Sequence, residues 1–262
     1  MNFPKKSLGQ NFLFDNNIIK KIISLTNICD KNVLEIGPGR GALTNEILKN
    51  KPKTLTLIEK DYFLFKELEQ KYQKNKKVNI LNKDILKFDI EKKIKKDSII
   101  FGNLPYNISS QILVKMIKFK SWPPNYSDVI FMFQQEMADR IIGKFNTSKY
   151  GRLSILSSYR LKIIKKFNVS PNCFFPKPKV ISTVLFFKPK SNQPNDIKDI
   201  NNLEKITNIF FSNKRKMINK NIKKIFNKID DKKIFNNLNL ELRPSEVKPE
   251  KYYEITELYE RI

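Results

Sequence analysis

The chain has 262 residues, of which 40% are hydrophobic, and 51 basic against 26 acidic side chains give a formal net charge of +25. That length suits one large domain, or a standard domain with a small appendage, and the basic excess exceeds what solubility requires and points to a polyanion, most simply nucleic acid. The complete lack of histidine excludes serine-histidine hydrolases, histidine-ligated metals and imidazole general bases.

No apolar run approaches the roughly 18 residues of a membrane span. The N-terminal stretch MNFPKKSLGQNFLFDNN lacks the apolar core of a signal peptide. A cytoplasmic, monomeric protein without a membrane partner is the expectation. Cys29 and Cys173 are far apart and no CxxC pair occurs, so neither a disulfide framework nor a structural zinc site is expected, and no metal is assigned.

In chain order, a helix begins near Asp15 after a polar turn. Asn32 to Gly37 (NVLEIG) reads as a buried strand and GALTNEILKN as the helix after it. Thr54 to Glu59 (TLTLIE) is a second strand, and DYFLFKELEQKYQ a second helix. Val78 to Leu81, Ser98 to Asn103 and Asp128 to Gln134 are further strands. Alternating strands and helices predict an α/β fold with a parallel sheet covered on both faces, and the continuous apolar runs fit strands buried on both sides. GRLSILSSYRL follows as a helix, and IIKKFNV and STVLFFKP as a late pair of strands closing the sheet. Lys188 to Asn202 is polar, contains Pro189 and Pro194, and reads as a linker. Beyond it, LEKITNIFF, MINKNIKKIFNKI and YYEITELYERI carry helical periodicity. The expected division is a catalytic domain over residues 1–190 and a helical domain over residues 191–262.

Gly37, Gly39 and Gly41 lie where the first of these strands passes into its helix, which permits a tight turn and close approach of backbone to ligand. Glu59 ends the next strand, about 20 residues on, where a carboxylate takes the hydroxyls of a ribose. Asp61 is the better cap for the following helix, which leaves Glu59 free. Asp84 follows the third strand and suits an adenine amine. An adenosine-containing cofactor results. Glu35, two residues before Gly37, would repel a pyrophosphate but favours the cationic methionyl end of S-adenosylmethionine.

Asn103 to Tyr106 (NLPY) follows the fourth strand and opens at the same sheet edge. An exocyclic amine on a base is a poor nucleophile, because its lone pair is delocalised into the ring. The Asn103 side chain and the main-chain carbonyl of Leu104 or Pro105 can accept its two hydrogens. Pro105 fixes the direction of those carbonyls, and Tyr106 can stack on an extruded base. Such chemistry needs no strong base, in keeping with the missing histidines.

The segments SLGQNFLFD, EIGPGRGALT, FGNLPYNIS and FPKPKVIS, in this order, resemble the ribosomal RNA adenine N6-dimethyltransferases over essentially the whole chain. The resemblance implies a class I S-adenosylmethionine-dependent methyltransferase (Rossmann-like) sheet with a small all-helical C-terminal domain. It also implies two successive methyl transfers to N6 of adenosine. It adds Asn11 and Leu13 to Gly37, Glu59, Asp84 and Asn103 as cofactor contacts. It sandwiches the target adenine between Tyr106 and Phe174, with Phe175 as the neighbouring alternative. FFSNKRKMINKNI and LRPSEVKPEKYYEI resemble the small-subunit, KsgA-type branch more than the Erm branch, which modifies large-subunit RNA. In that branch the targets are two adjacent adenosines in a hairpin near the 3′ end of small-subunit RNA, and Lys214, Arg215 and Lys216 would meet phosphates. A non-catalytic RNA-binding or assembly factor and a DNA adenine methyltransferase are the competing classes. The intact NLPY and Glu59 oppose the first. The basic C-terminal pattern, and NLPY in place of a Pro-Pro-Tyr motif, oppose the second.

Overall fold

The computed structural model describes residues 10–226 and 238–261. Contacts divide the chain into two units. One comprises the residues up to Ala138 together with Lys162–Pro189, and the other Asp139–Leu161 together with the residues from Lys190 onward.

The first unit is built on a seven-stranded sheet. Its strands are β2 (Asn32–Ile36), β3 (Thr54–Glu59), β4 (Val78–Asn82), β5 (Ser98–Asn103), β6 (Tyr126–Gln134), β7 (Leu161–Val169) and β9 (Ser182–Pro189), in the order β4-β3-β2-β5-β6-β9-β7. The first five in this order are parallel, and β9 runs antiparallel to β6. The sheet is therefore mixed, with the expected late pair of strands closing one side.

Helix α1 (Asn16–Ile23) precedes these strands, α2 (Ala42–Lys49), α3 (Tyr62–Tyr72) and α4 (Ser109–Ile117) connect them, and α5 (Gln135–Ile141) follows β6. Asp15 caps α1 by accepting from the Ile18 N–H at 2.9 Å. Asp61 caps α3 by accepting from the N–H groups of Phe63 and Leu64. Both caps satisfy first-turn donors that the helix cannot. The Asp61 cap is the one expected for this helix.

A second, two-stranded sheet was not legible in the sequence. β1 (Phe12–Leu13) pairs antiparallel with β8 (Phe174–Phe175), matching Phe12 with Phe175 and Leu13 with Phe174. Opposite residues share a face, so Leu13 and Phe174 point into the core while Phe12 and Phe175 point the other way. The Ser7–Gly9 part of the N-terminal motif lies outside the described residues.

The second unit contains α6 (Arg152–Arg160), α7 (Ile200–Phe211), α8 (Asn219–Ile225) and α9 (Pro249–Arg261). The chain passes from the first unit to the second between Pro189 and Lys190, next to the expected division at 190, and Asp139–Leu161, with α6, groups with the C-terminal helices as well, which the sequence did not show. The Tyr159 and Tyr253 rings pack at 4.9 Å, and the Ser158 and Tyr253 hydroxyls are 2.9 Å apart. The supposed linker is also not loose. Glu260 accepts from the backbone N–H groups of Lys198 and Asp199 at 2.7 and 2.9 Å, Glu257 from the Asn195 amide, and α7 starts at Ile200 rather than beyond Asn202. The helix expected over MINKNIKKIFNKI is present as α8, and its last residues, 227–229, lie outside the described residues. No helix among the described residues is long and apolar enough to cross a membrane.

Candidate active site

The strand register aligns the chemistry. Ile36 pairs with both Ile58 and Gly102, and Glu59 pairs with Asn82. The carboxyl ends of β2, β3, β4 and β5 therefore meet at one edge, the place where open α/β sheets bind ligands. A cavity there is lined by Asn11, Leu13, Gly37, Glu59, Asp84 and Asn103, and also by Glu35, Leu104, Pro105 and Tyr106. Every cofactor residue expected from the sequence thus faces one space.

The glycine loop makes the first wall. Gly37 and Gly39 adopt φ of +67° and +56°, in the left-handed region that side chains avoid. A Cβ on Gly39 would stand 2.9 Å from Phe12 Cδ1. Glycine there lets the N-terminal segment close down on the loop.

Glu59 is buried, and its two oxygens accept from the Asp61 N–H at 2.8 Å and the Gly39 N–H at 3.2 Å. It thereby ties the β3 end to the glycine loop, a contact the sequence did not show. Burial raises its pKa despite these bonds. Each oxygen keeps a lone pair for a sugar hydroxyl. Asp84 pairs with Lys60 Nζ at 2.9 Å and accepts from the Leu86 N–H at 3.0 Å. The Lys60 contact holds its carboxyl below the usual range, so it stays ionised and able to accept from an amine.

Glu35 is 1% exposed and accepts from Thr44 Oγ1 at 2.6 Å. Burial, with a smaller contribution from the nearby Glu59, pushes its pKa up to about 7. A buried acid with a single hydroxyl partner suits a cationic neighbour and disfavours an anionic one. Acceptors for ribose hydroxyls at Glu59, an amine acceptor at Asp84 and a buried acid at Glu35 fit S-adenosylmethionine. They do not fit a pyrophosphate.

The NLPY segment makes the opposite wall. Asn103 Nδ2 donates to the main-chain carbonyl of Asn11 at 3.1 Å, which turns the amide so that Oδ1 is the end left over. The Pro105 carbonyl accepts from the Ile108 N–H at 3.1 Å. The Pro105 carbonyl is thus partly engaged, which leaves the Leu104 carbonyl the less committed of the two main-chain acceptors, while the Leu104 side chain is buried. The Tyr106 hydroxyl lies 2.7 Å from Ser182 Oγ at the start of β9, which fixes the half-buried ring. Sequence reasoning missed Ser182, although it closes the FPKPKVIS motif.

One expectation changes. Phe174 is only 3% exposed and lies in the core cluster with Leu13 and Val169, whereas Phe175 is 60% exposed. In this conformation the Phe174 ring is enclosed and does not line the cavity, because strand alternation turns it away from the face that Phe12 occupies. The basic run Lys214, Arg215 and Lys216 lies in a turn after α7. Lys214 Nζ is occupied there, donating to the carbonyls of Ser148 at 3.0 Å and Tyr150 at 3.3 Å. Arg215 and Lys216 are exposed.

A family model described as ribosomal RNA adenine dimethylase matches residues 1–261. The chain belongs to this family. Ribosomal RNA small subunit methyltransferase A of Pelagibacter ubique is 46% identical over 256 residues, covering 98% of this chain and 97% of that protein. The protein of the same name from Malacoplasma penetrans is 43% identical, covering 95% of this chain and 90% of its own length. Among solved structures, a dimethyladenosine transferase from Plasmodium falciparum superposes with a TM-score of 0.78 at 24% identity, covering 93% of this chain and 95% of that one. The 23S rRNA methyltransferase ErmE superposes at 0.67 with 22% identity, covering 95% and 100%. At these identities the two structures establish the fold, which is the class I methyltransferase fold expected. As a member of the dimethylase family the chain is an S-adenosylmethionine-dependent RNA adenine methyltransferase.

Proposed function

We propose that the chain dimethylates N6 of two adjacent adenosines in a hairpin near the 3′ end of small-subunit ribosomal RNA. The observation that carries this reading is the pair of acceptors at the cavity, Asn103 Oδ1 and the Leu104 carbonyl. Both N–H bonds of an adenine amine can be satisfied there. That draws the nitrogen lone pair out of the ring and toward the donor side of the cavity. When bound, S-adenosylmethionine supplies the electrophilic methyl carbon. Glu59 holds the sugar, Asp84 the cofactor's adenine amine and Glu35 favours its cationic end. Asn11 positions Asn103 through its carbonyl, and Leu13 anchors the segment in the core.

Tyr106 stacks on the extruded base. The amine gains positive charge as it reacts and sheds a proton afterward, so a strong base is unnecessary, which suits a chain with no histidine. The first product still carries one N–H and a lone pair, so the same acceptors serve the second transfer. The small-subunit branch is supported by the names of the relatives at 46% and 43% identity. The helical unit, with Arg215 and Lys216 exposed, supplies phosphate contacts. An assembling small subunit in the cytoplasm is the natural form of such a substrate. A single chain carries every residue named here, which suits a monomer.

The test is to incubate purified protein and labelled S-adenosylmethionine with ribosomal subunits from cells lacking the corresponding gene. Label is expected in N6,N6-dimethyladenosine of small-subunit RNA. Label confined to the large subunit would overturn the branch, and no label in either would overturn the activity.

A further inference from the structure

Outside the cavity, the loop from Phe175 to Ser182 carries a feature that the reaction above does not use. Its first residue is fixed by pairing with Phe12, whose side chain lines the cofactor cavity on the same face of the two-stranded sheet. Its last residue, Ser182, holds the Tyr106 hydroxyl and pairs with Gln134, and the Ile181 carbonyl accepts from the Gln135 N–H at 2.9 Å. The loop thus bridges the cofactor wall and the base-holding tyrosine.

Between these anchors it exposes an aromatic ring, two cations and two aliphatic side chains. Phe175 is 60% exposed, Val180 42% and Ile181 41%. Lys177 and Lys179 are also exposed. An unprotected phenylalanine costs solubility, and no packing role explains it, since its neighbour Phe174 fills the core instead. An exposed ring alternating with lysines is the chemistry that single-stranded nucleic acid uses, with bases on the ring and phosphates on the cations.

We propose that Phe175, Lys177 and Lys179 form a subsite for a nucleotide flanking the target adenine, its base stacked on Phe175 and its phosphates on the two lysines. The proposal rests on the RNA-methylating reading above. It gives that reading a device for holding the strand on either side of an extruded base. Flipping one nucleotide unstacks its neighbour, and Phe175 takes the place of the departed stacking partner. A phenylalanine ring does not discriminate among bases, so the subsite grips without choosing sequence.

The test uses the full chain and a hairpin RNA with two adjacent adenosines in its single-stranded loop, intact or with an abasic site next to them. Wild type should bind the abasic RNA about fivefold or more weakly. Phe175→Ala should bind both RNAs equally and at the weaker level, and Phe175→Tyr should restore the difference. Lys177→Gln with Lys179→Gln should flatten the dependence of log Kd on log salt by about 0.7 for each phosphate that is no longer neutralised. If Phe175→Ala responds to the abasic site as wild type does, or the salt dependence does not move, the subsite is overturned. Methylation is read separately on the intact hairpin. Wild type that binds it without methylating it would overturn the functional reading, while the binding comparison still decides the subsite.

Discussion

Asn103 Nδ2 donates to the Asn11 carbonyl at 3.1 Å, and this bond decides which end of the amide is left to the cavity. The acceptor oxygen is presented because the donor nitrogen is already used by a chain segment 92 residues away. Asn103→Ala is expected to lower kcat by about 100-fold to 1000-fold, the range for removing one preorganised polar group from developing charge. Stability should fall by only about 1 kcal/mol, for one hydrogen bond. Activity within a few-fold of wild type would remove the amide from the reaction.

Glu35 makes the site sensitive to pH. Its folded value is raised from 4.5 to about 7, first by burial and secondarily by Glu59, against the lowering effects of Thr44 and Lys71. A raised folded value favours the protonated form. The stabilisation is therefore complete below about 4.5 and disappears as pH climbs through about 7. In the absence of cofactor, Glu35→Gln should be more stable than wild type at pH 8, by up to about 3 kcal/mol. The cationic cofactor prefers the ionised acid, so wild-type affinity should rise between pH 6 and 8 while the variant stays flat. Thermal unfolding of the cofactor-free proteins tests the first statement, and calorimetric titration with cofactor at several pH values tests the second.

The contact between Tyr106 and Ser182 predicts a positioning effect. Ser182→Ala removes the partner of a half-buried phenol, leaving the ring free to turn. KM for RNA should rise several-fold, with cofactor affinity unchanged. Tyr106→Ala removes the stacking surface itself and should cost about 1–3 kcal/mol of base binding. Equal effects of the two substitutions would mean that the hydroxyl, not the ring, holds the base.

Phe174 is a core residue in this structure. Phe174→Ala should cost about 3–5 kcal/mol of stability, the usual range for emptying a buried aromatic site. Phe174→Leu should cost much less, because volume is largely kept. Thermal or denaturant unfolding measures both. A negligible change for Phe174→Ala would return the ring to the base pocket.

The basic run divides by partner. Lys214→Gln breaks two hydrogen bonds to main-chain carbonyls of the 148–150 segment and should act on stability. Arg215→Gln with Lys216→Gln should leave stability unchanged. It should flatten the salt dependence of RNA binding by about 0.9 for each duplex phosphate released. An unchanged slope would make these two residues plain solvated cations.

Much of the site was legible because it is local. Gly37, Glu59, Asp84 and Asn103 each sit at the end of a strand whose apolar run is visible in one dimension, and parallel strands bring such ends to a common edge. The charge and the missing histidines narrowed the chemistry further. The sequence by itself therefore determined the parallel part of the sheet and the edge at which these residues gather.

What the tertiary structure decided are contacts between distant segments. Phe12 and Leu13 pair with Phe175 and Phe174 through a two-residue sheet too short to carry any periodicity. That pairing sends Phe174 inward, into the core, and Phe175 outward. The orientation of the Asn103 amide, the Ser182 bond to Tyr106 and the Lys214 contacts all join residues more than 60 positions apart. α6 joins the C-terminal helices for the same reason, since its tyrosine finds its aromatic partner only at Tyr253. A side chain's type limits what it can bind, but which way it points depends on neighbours that only folding supplies.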